Sequence, residues 1–238
     1  MRNQKRLTLK ISTIIISFFI FSVSLYSQDE YTDIKEFGLK GNVKSIESKY
    51  YSTKENQGKW ILDTLNSKSR MDFNENGNIT RMFNLSFLEL ETETTEIQRD
   101  KNDRKISYQK SNQNGVFETG NYKWVDEKVY QIKAIDSFGM RMESEFTLTK
   151  DFRDKTGTTV YYDNKSNEYL FTHQYENFFD EKQNLLISKI TYAPIKNSRT
   201  IIYNVQETDD FGNWTKVIVY DKENDFRQIL IRKIEYYR

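Results

Sequence analysis

A short turn-and-strand pattern recurs along this 238-residue chain and limits what it can fold into. Its clearest copy is the Asp-Asp-Phe-Gly-Asn segment at residues 209–213, which leads into a β-branched and aromatic run starting at Trp214. Asp or Asn at a turn accepts hydrogen bonds from backbone N–H groups, and Gly or Asn takes the positive φ that closes a tight loop. The pattern therefore predicts a β-hairpin at each copy.

Looser copies of this turn recur through most of the chain. They begin at Asn74, Asp100, Asp136, Asp154 and Asp180, and a separate Asn-Gly turn lies at residues 112–115. The irregular spacing is unlike that of a regular repeat array. Because parallel strands need long crossover connections, connections this short predict antiparallel pairing.

The composition between the turns also favours strands. The chain has 16 Tyr and 16 Phe, with only one Pro and nine Gly. Alternating apolar and polar runs predict roughly twelve to fourteen strands, and no long stretch has helical period. Residues 29–38 are expected to form a short helical turn or an irregular cap. We predict an all-β fold, an antiparallel meander whose sheet curls strongly into a half-barrel, a barrel or two packed layers.

The first 27 residues have the pattern of a secretory signal peptide. Residues 1–10 carry four basic side chains and no acid, residues 11–26 are largely apolar, and polar sequence resumes at Gln28. We expect cleavage after Ser27, which leaves residues 28–238 as a single β-rich domain; an uncleaved membrane anchor is the alternative. Since the chain has no Cys, its core and its strand ladders must stabilise it without disulfides.

The hairpin unit resembles the YD (Rhs-type) repeats of bacterial surface and secreted proteins, in which a Tyr-Asp pair precedes a Gly-containing turn. Literal Tyr-Asp pairs stand at residues 162–163 and 220–221. The segments at residues 38–44 and 212–216 are also similar to secreted proteins of Bacteroidetes. The resemblance implies hairpin architecture and an extracytoplasmic setting, and it implies no catalytic residue.

One segment matches the start of a calcium-binding loop. Residues 72–79 read Asp-Phe-Asn-Glu-Asn-Gly-Asn-Ile. Such a loop needs a bidentate Glu six residues after its Gly, and Phe83 stands there. The segment therefore predicts a hairpin turn rather than a metal site, and we expect no metal or cofactor.

Other candidate residues are weighed in the same way. His173 is the single His and is expected on a strand surface, which excludes a His-rich metal site. Alternation at Glu89, Glu91 and Glu93 predicts a solvated strand face, with a cation or basic-partner site as the alternative. The stripe Met140, Met142, Phe146 and Leu148 predicts core. We expect Trp214 in the core and Trp60 exposed, while Trp124 remains open between core packing and sugar stacking.

These patterns favour an exported bacterial envelope protein with a non-enzymatic binding or structural role. Once the signal is removed, 32 basic and 35 acidic residues nearly cancel, which gives no electrostatic footprint for nucleic acid. The partner is expected to be a protein or a glycan, with no membrane insertion after cleavage. Two alternatives are a periplasmic carrier of an apolar or glycan ligand, favoured by an enclosed cavity, and a hydrolase with an unrecognised carboxylate pair.

Overall fold

The computed structural model describes residues 30–86, 92–182, 184–195, 197–223 and 226–238. The expected signal segment, and Glu89 and Glu91 of the acid row, lie outside these residues. Within them, one short helix precedes fourteen strands. They are α1 (Asp33–Glu36), β1 (Val43–Asn56), β2 (Lys59–Phe73), β3 (Ile79–Ser86), β4 (Thr92–Arg99), β5 (Lys105–Asn112), β6 (Gly115–Trp124), β7 (Val129–Asp136), β8 (Met140–Leu148), β9 (Asp154–Asp163), β10 (Tyr169–Phe179), β11 (Leu185–Ala193), β12 (Asn197–Thr208), β13 (Trp214–Asp221) and β14 (Phe226–Tyr236).

The strands form a closed antiparallel barrel in which each pairs with its neighbours in sequence. The barrel closes where β1 pairs with β14, in a register that runs from Val43 opposite Tyr236 to Ser52 opposite Gln228. A twisted sheet with this many strands removes its unpaired edges by closing on itself. The predicted all-β meander is thus confirmed, and the barrel is the form it takes. No helix among the described residues is long and apolar enough to cross a membrane.

Consecutive hairpins connect at alternate ends of the barrel. The connections β2–β3, β4–β5, β6–β7, β8–β9, β10–β11 and β12–β13 share one end, here called the capped end. Four of its turns have one geometry. The backbone N–H of Asp209 donates to the Asn213 carbonyl at 2.9 Å, and the Asp209 side chain accepts from the Asn213 N–H at 2.9 Å. The turns that start at Asn74, Asp100 and Asp180 repeat both bonds.

The turn predicted at Asp154 is wrong. The β8–β9 connection lies at residues 149–153, where the Thr149 hydroxyl accepts from the Arg153 N–H at 3.0 Å. Phe152 takes the positive φ of 62° that Gly or Asn was expected to take. Asp154 instead begins strand β9.

The pairing register separates the inner face of the barrel from its outer face. Neighbouring strands place Tyr130, Phe146, Gly157 and Tyr175 side by side, and all but Gly157 line the same interior cavity. The stripe predicted from Met140 to Leu148 shares this inner face, and Leu148 is only 4% exposed. Gly157 is required there because a side chain would overlap the Tyr175 ring. The Met-bearing stripe therefore lies on the inner face, where Leu148 packs in the core and Phe146 lines the cavity.

The outer face carries charged side chains on several strands, beside apolar ones such as Ile218 and Ile231. Side chains of Lys133 and Lys233 are 75% and 74% exposed, although each lies within its strand. Ion pairs of 2.8–3.8 Å decorate this face. They join Lys49 to Glu47, Arg70 to Asp72, Arg81 to Glu96, Lys133 to Glu143, Lys216 to Glu207 and Lys233 to Glu235.

Residues 31–42, here called the cap segment, cover the capped end. Asp33 is fully buried, where it forms ion pairs with Arg99 and with Lys105, the latter at 2.9 Å, and accepts the backbone N–H of Ile79 at 2.7 Å. The Ile34 N–H donates to the Gly77 carbonyl of the β2–β3 turn at 3.0 Å. These contacts tie helix α1 to the starts of β3 and β5, so the predicted cap is present.

Two apolar clusters hold the cap segment from either side. Leu39 packs with Val43, Ile46, Phe73 and Ile79. Tyr31 packs with Tyr130, Leu148 and Phe152, and its ring meets Trp124 edge-on with a centroid distance of 5.0 Å. Burial of such apolar surface drives docking of the segment, and the Asp33 ion pairs fix its position.

Candidate functional site

A cavity of about 410 Å³ lies beneath the cap segment. Its lining combines residues of the cap with inward side chains of β7 to β14 and residues of the neighbouring turns. Those used below are Glu36, Gly38, Tyr130, Phe146, Arg153, Asp154, Tyr175, Phe179, Val205, Trp214, Leu230 and Arg232. The cavity therefore has aromatic and aliphatic walls with a few charged groups among them.

Arg153 enters the cavity from the β8–β9 turn. Its guanidinium lies over the Phe179 ring, 4.6 Å from the centroid. It also packs against Gly38 of the cap segment, where any Cβ would overlap the guanidinium. Gly38 has a positive φ of 65°, so glycine is required there both by the backbone and by Arg153.

Arg232 enters from the opposite part of the wall, on β14. Its guanidinium carbon lies 3.3 Å from the centre of the Trp214 ring. The Nε atom is buried and has no hydrogen-bond partner among the described residues. The pKa of Arg232 is lowered to about 10, mainly by burial; Tyr50 opposes this shift and the charge of Arg153 adds to it.

Two carboxylates also line the cavity. The Tyr175 hydroxyl contacts both Asp154 oxygens, at 2.7 and 2.6 Å. Burial raises the pKa of Asp154 to about 6, although the bond from Tyr175 lowers it. Glu36 is held more fully: Lys105 pairs with it at 2.8 Å, Tyr130 donates to it at 2.9 Å, and Tyr31 donates as well. Lys105 therefore pairs with Glu36, and Asp154 accepts from Tyr175.

The aromatic hydroxyl groups around these acids keep their protons. Burial, followed by the charge of Glu36, raises the pKa of Tyr130 well above its ordinary value. Burial and the charge of Asp154 raise that of Tyr175. Both hydroxyls therefore remain hydrogen-bond donors at any physiological pH, which fixes the carboxylates that accept from them.

The structure places several sequence-predicted residues differently. His173 shares the inner face of β10 with Tyr175, and its ring stacks on Tyr192 with a centroid distance of 5.1 Å. The predicted surface position is thus wrong, and burial lowers the pKa of His173. Glu93, the one member of the acid row that is described, lines a second cavity of about 280 Å³ with Tyr50 and Ser69. It does not lie on the outer face, as the solvated-face interpretation required.

The tryptophans are each partly buried. Trp214 lines the cavity, in line with the prediction of core. Trp124 packs against Tyr31 and Tyr130 inside the barrel. Trp60 was expected to be exposed, but the Arg227 guanidinium covers it at 4.0 Å from the ring centre.

The calcium-like segment forms a hairpin turn. The Asn78 N–H donates to the Asn74 side chain at 2.9 Å, and Asp72 pairs with Arg70 on the outer face of β2. Within the described residues, no three His, Asp or Glu side chains lie close enough together to hold a metal ion.

Arg153 and Arg232 were missed by sequence reasoning. Arg232 lies on the same face of β14 as Leu230 and Ile234. Because Lys233 lies on the other face, each face of the strand carries a charge in the sequence. Only closure of the barrel shows which of the two charges points inward. The stacking of Arg232 on Trp214 is visible only in the structure and could not be predicted from the sequence.

No protein-family model matches this chain, and no curated protein is similar to it in sequence. Several solved structures are similar to it at low identity, and two are porin-like proteins. A porin-like protein from Bacteroides vulgatus is 8% identical, with 82% of this chain and 98% of that chain covered and a TM-score of 0.47. A porin-like protein from Bacteroides uniformis is 9% identical, with 81% and 98% covered and a TM-score of 0.34. Likenesses this distant assign no function.

Proposed function

We propose that this chain is an exported, non-enzymatic binding protein of the bacterial envelope that holds a small molecule inside its barrel. The observation that carries the proposal is the cavity of about 410 Å³ between the cap segment and the barrel wall. Ligand pockets commonly measure about 300–1,000 Å³ and combine apolar walls with a few placed polar groups. A carrier role is therefore favoured over a purely structural one.

The charged outer wall supports a barrel that stays in water. Lys133 and Lys233 project from within their strands and are mostly exposed, and outer-face ion pairs lie on β1–β4, β7, β8 and β12–β14. On the lipid-facing side of a membrane barrel, each Lys or Arg near the bilayer centre costs about 2–4 kcal/mol. An apolar outer band would be needed instead. These charges favour a barrel that is not inserted in a membrane after export.

Export itself is supported by the basic and then apolar pattern of residues 1–27. The repeated Asx turns, which resemble those of YD-type surface proteins, fit the same setting. An envelope carrier with a cap over one end of its barrel is the form of binding protein that these features favour.

A hydrolase is the competing function, because Glu36 and Asp154 both line the cavity and the pKa of Asp154 is raised to about 6. Glu36, however, already accepts from Lys105, Tyr130 and Tyr31. A carboxylate held in this way has little capacity left to act on a substrate. Binding without chemistry is therefore preferred.

The experiment uses residues 28–238 purified without detergent, with phenylnaphthylamine as a neutral fluorescent probe. Leu230 faces the cavity, and its neighbour Ile231 faces outward. We expect the wild-type protein and Ile231→Trp to bind the probe, and Leu230→Trp to lose binding because the larger ring fills the cavity. Both variants must keep the wild-type circular dichroism spectrum.

Two results would overturn the proposal. One is the absence of probe binding by a folded wild-type protein, and the other is equal binding by folded Leu230→Trp. Mass spectrometry after incubation with aryl ester and aryl glycoside substrates tests the hydrolase alternative. Products that vanish in Asp154→Asn would replace the carrier by an enzyme.

A further inference from the structure

We propose that the ligand of this cavity is an amphiphile with an anionic oxygen group, a carboxylate or a phosphate, which Arg232 binds with the help of Arg153. This inference rests on the proposed carrier function and specifies the chemical class of the ligand. It follows from the position, the partners and the stacking of the two arginines.

Arg232 has donors to offer a ligand. Its Nε is buried without a hydrogen-bond partner among the residues that the structure describes. No carboxylate of those residues forms an ion pair with Arg232. A buried donor left unsatisfied is costly, and buried charges in proteins are ordinarily paired. An arginine in this state that lines a cavity indicates a partner that enters the cavity.

The geometry of Arg232 suits a planar or tetrahedral oxyanion. Because one face of its guanidinium lies on the Trp214 ring at 3.3 Å, the side chain is held in place where it lines the cavity. The edge of a guanidinium presents donors in a fixed fork that matches carboxylate and phosphate oxygens. Stacking on an aromatic ring therefore leaves Arg232 preorganised for an anion.

Arg153 adds a second positive charge to the same cavity. Phe179 and Gly38 hold it from two sides. The pKa of Arg153 is lowered by burial, and that of Arg232 is lowered by burial and by the charge of Arg153. An anion between or beside them would offset both effects, since an opposite charge favours the charged form of each arginine.

The acids of the cavity do not cancel this charge. Glu36 is neutralised by Lys105 at 2.8 Å, and Asp154 accepts from Tyr175. The charges of Asp154 and Asp180 act on Arg153, whereas no carboxylate is among the charges that shift the pKa of Arg232. The pKa of Asp154, about 6, leaves that acid partly protonated in mildly acid solution. The cavity therefore favours an anion over a cation, and more strongly below pH 6.

The apolar part of the cavity wall determines which kind of group the rest of the ligand carries. Phe146, Val205 and Leu230 contribute apolar surface to the same cavity. A free inorganic anion would leave this surface bare, whereas an amphiphile covers it while its head group meets the arginines. The ligand class is therefore an organic anion with an apolar or aromatic body.

The test compares two probes that differ in one group. Anilinonaphthalene sulfonate carries an anionic group, and phenylnaphthylamine has nearly the same rings without it. We expect the sulfonate to bind the wild-type protein more tightly, and Arg232→Met to weaken its binding roughly tenfold or more, as the loss of a charge-assisted hydrogen bond does. Phenylnaphthylamine should bind Arg232→Met as it binds the wild-type protein.

The matched control is Arg81→Met, which removes an outer-face arginine whose side chain is 51% exposed. It should bind both probes as the wild-type protein does. Competition with octanoate, octyl phosphate and octanol then identifies the head group. Displacement of the sulfonate by octanoate favours carboxylates, displacement by octyl phosphate favours phosphates, and octanol should compete poorly.

The outcomes separate the two proposals. If phenylnaphthylamine binds but the sulfonate binds no more tightly, or if Arg232→Met leaves the sulfonate affinity unchanged, the anion inference is wrong and the carrier proposal stands. If octanol competes as well as the two anions, the anion inference is wrong again. If neither probe binds the folded protein, the carrier proposal is wrong, and the anion inference that rests on it is wrong as well.

Discussion

Asn213 pairs with the backbone of Lys40 through both ends of its side-chain amide. Its oxygen accepts the Lys40 N–H at 2.8 Å, and its nitrogen donates to the Lys40 carbonyl at 2.9 Å. The same nitrogen donates to the Tyr236 hydroxyl at 2.8 Å. A single amide thereby joins the cap segment to the β12–β13 turn and to the end of β14.

Asn213→Asp tests this junction. A carboxylate cannot donate to the Lys40 carbonyl, and Asn213 is only 4% exposed, so an unsatisfied acceptor is buried. We expect a loss of about 1–3 kcal/mol in the free energy of unfolding, measured by urea denaturation. Asn204→Asp, at an exposed outer position, is the control and should change little. Equal loss in both variants would remove any special role for the Asn213 amide.

Gly212 precedes this residue and has a positive φ of 79°. Gly212→Val forces a β-branched residue into that conformation, and we expect it to cost about 1–3 kcal/mol. Glu96→Ala removes an exposed ion pair of 3.8 Å with Arg81 and should cost about 0–1 kcal/mol. Urea unfolding of the two variants side by side gives the comparison. A larger loss in Glu96→Ala would contradict the importance assigned to the turn.

Asp33 holds the cap segment through Arg99 and Lys105. Burial would raise its pKa, but the two cations outweigh burial and lower the pKa below its ordinary value. Its contribution to stability is therefore present above the ordinary Asp pKa of about 3.9 and is lost as pH falls through the lower folded value. Asp33→Asn should cost about 3–5 kcal/mol at neutral pH, because it leaves the buried Arg99 without its carboxylate partner, while Lys105 keeps Glu36.

Urea unfolding at several pH values checks the sign for Asp33. The difference between wild type and Asp33→Asn should shrink as the solution is acidified below about pH 4. Asp72→Asn, which removes a charge from the outer face, supplies the comparison. A difference that does not depend on pH would mean that folding leaves the pKa of Asp33 unchanged.

Asp154 makes stability depend on pH in the opposite direction to Asp33. Its folded pKa of about 6 lies above the value of an unfolded chain, so the folded state holds a proton that the unfolded state releases. Wild-type stability should therefore fall, through this group, as pH rises from about 4 to about 6. Asp154→Asn keeps an acceptor for Tyr175 and should remove that fall. We expect the variant to be more stable at pH 7 by on the order of 2–3 kcal/mol, and equally stable near pH 4.

The same series of urea unfolding curves measures the effect of Asp154. The difference between wild type and variant should grow with pH, in the reverse direction to that for Asp33. Wild type more stable than Asp154→Asn at pH 7 would show that the carboxylate is stabilised, not strained, by its surroundings.

The local chemistry of the turns could be predicted from sequence because it involves neighbours only. Asp209 and Asn213 are four residues apart, and one accepts from the other. The β8–β9 turn was predicted at the wrong residues because the Thr149 hydroxyl accepts the hydrogen bond that an Asp side chain accepts in the other turns. Phe152 also adopts the positive φ expected of Gly or Asn. Sequence patterns find such a turn only when the usual residue types are present.

The cap and the cavity could not be predicted because their contacts join distant residues. Asp33 pairs with Arg99, which is 66 positions away, and no pattern near Asp33 in the sequence predicts that pairing. His173 shares its face of β10 with Phe171 and Tyr175, but a single strand does not show which of its faces points inward. Which face points inward is decided by closure of the whole barrel, and the ligand-facing arginines follow from that closure.

The pairing of β1 with β14 has a consequence for the order in which the protein is built. The cap segment and β1 come early in the chain, but Lys40 meets a partner 173 positions later, and β1 meets the last strand. Contacts of such large sequence separation form slowly. A chain that emerges from its N-terminus can extend the sheet hairpin by hairpin, yet it exposes two bare strand edges until β14 arrives. Its exposure to aggregation thus lasts until the final hairpin has emerged.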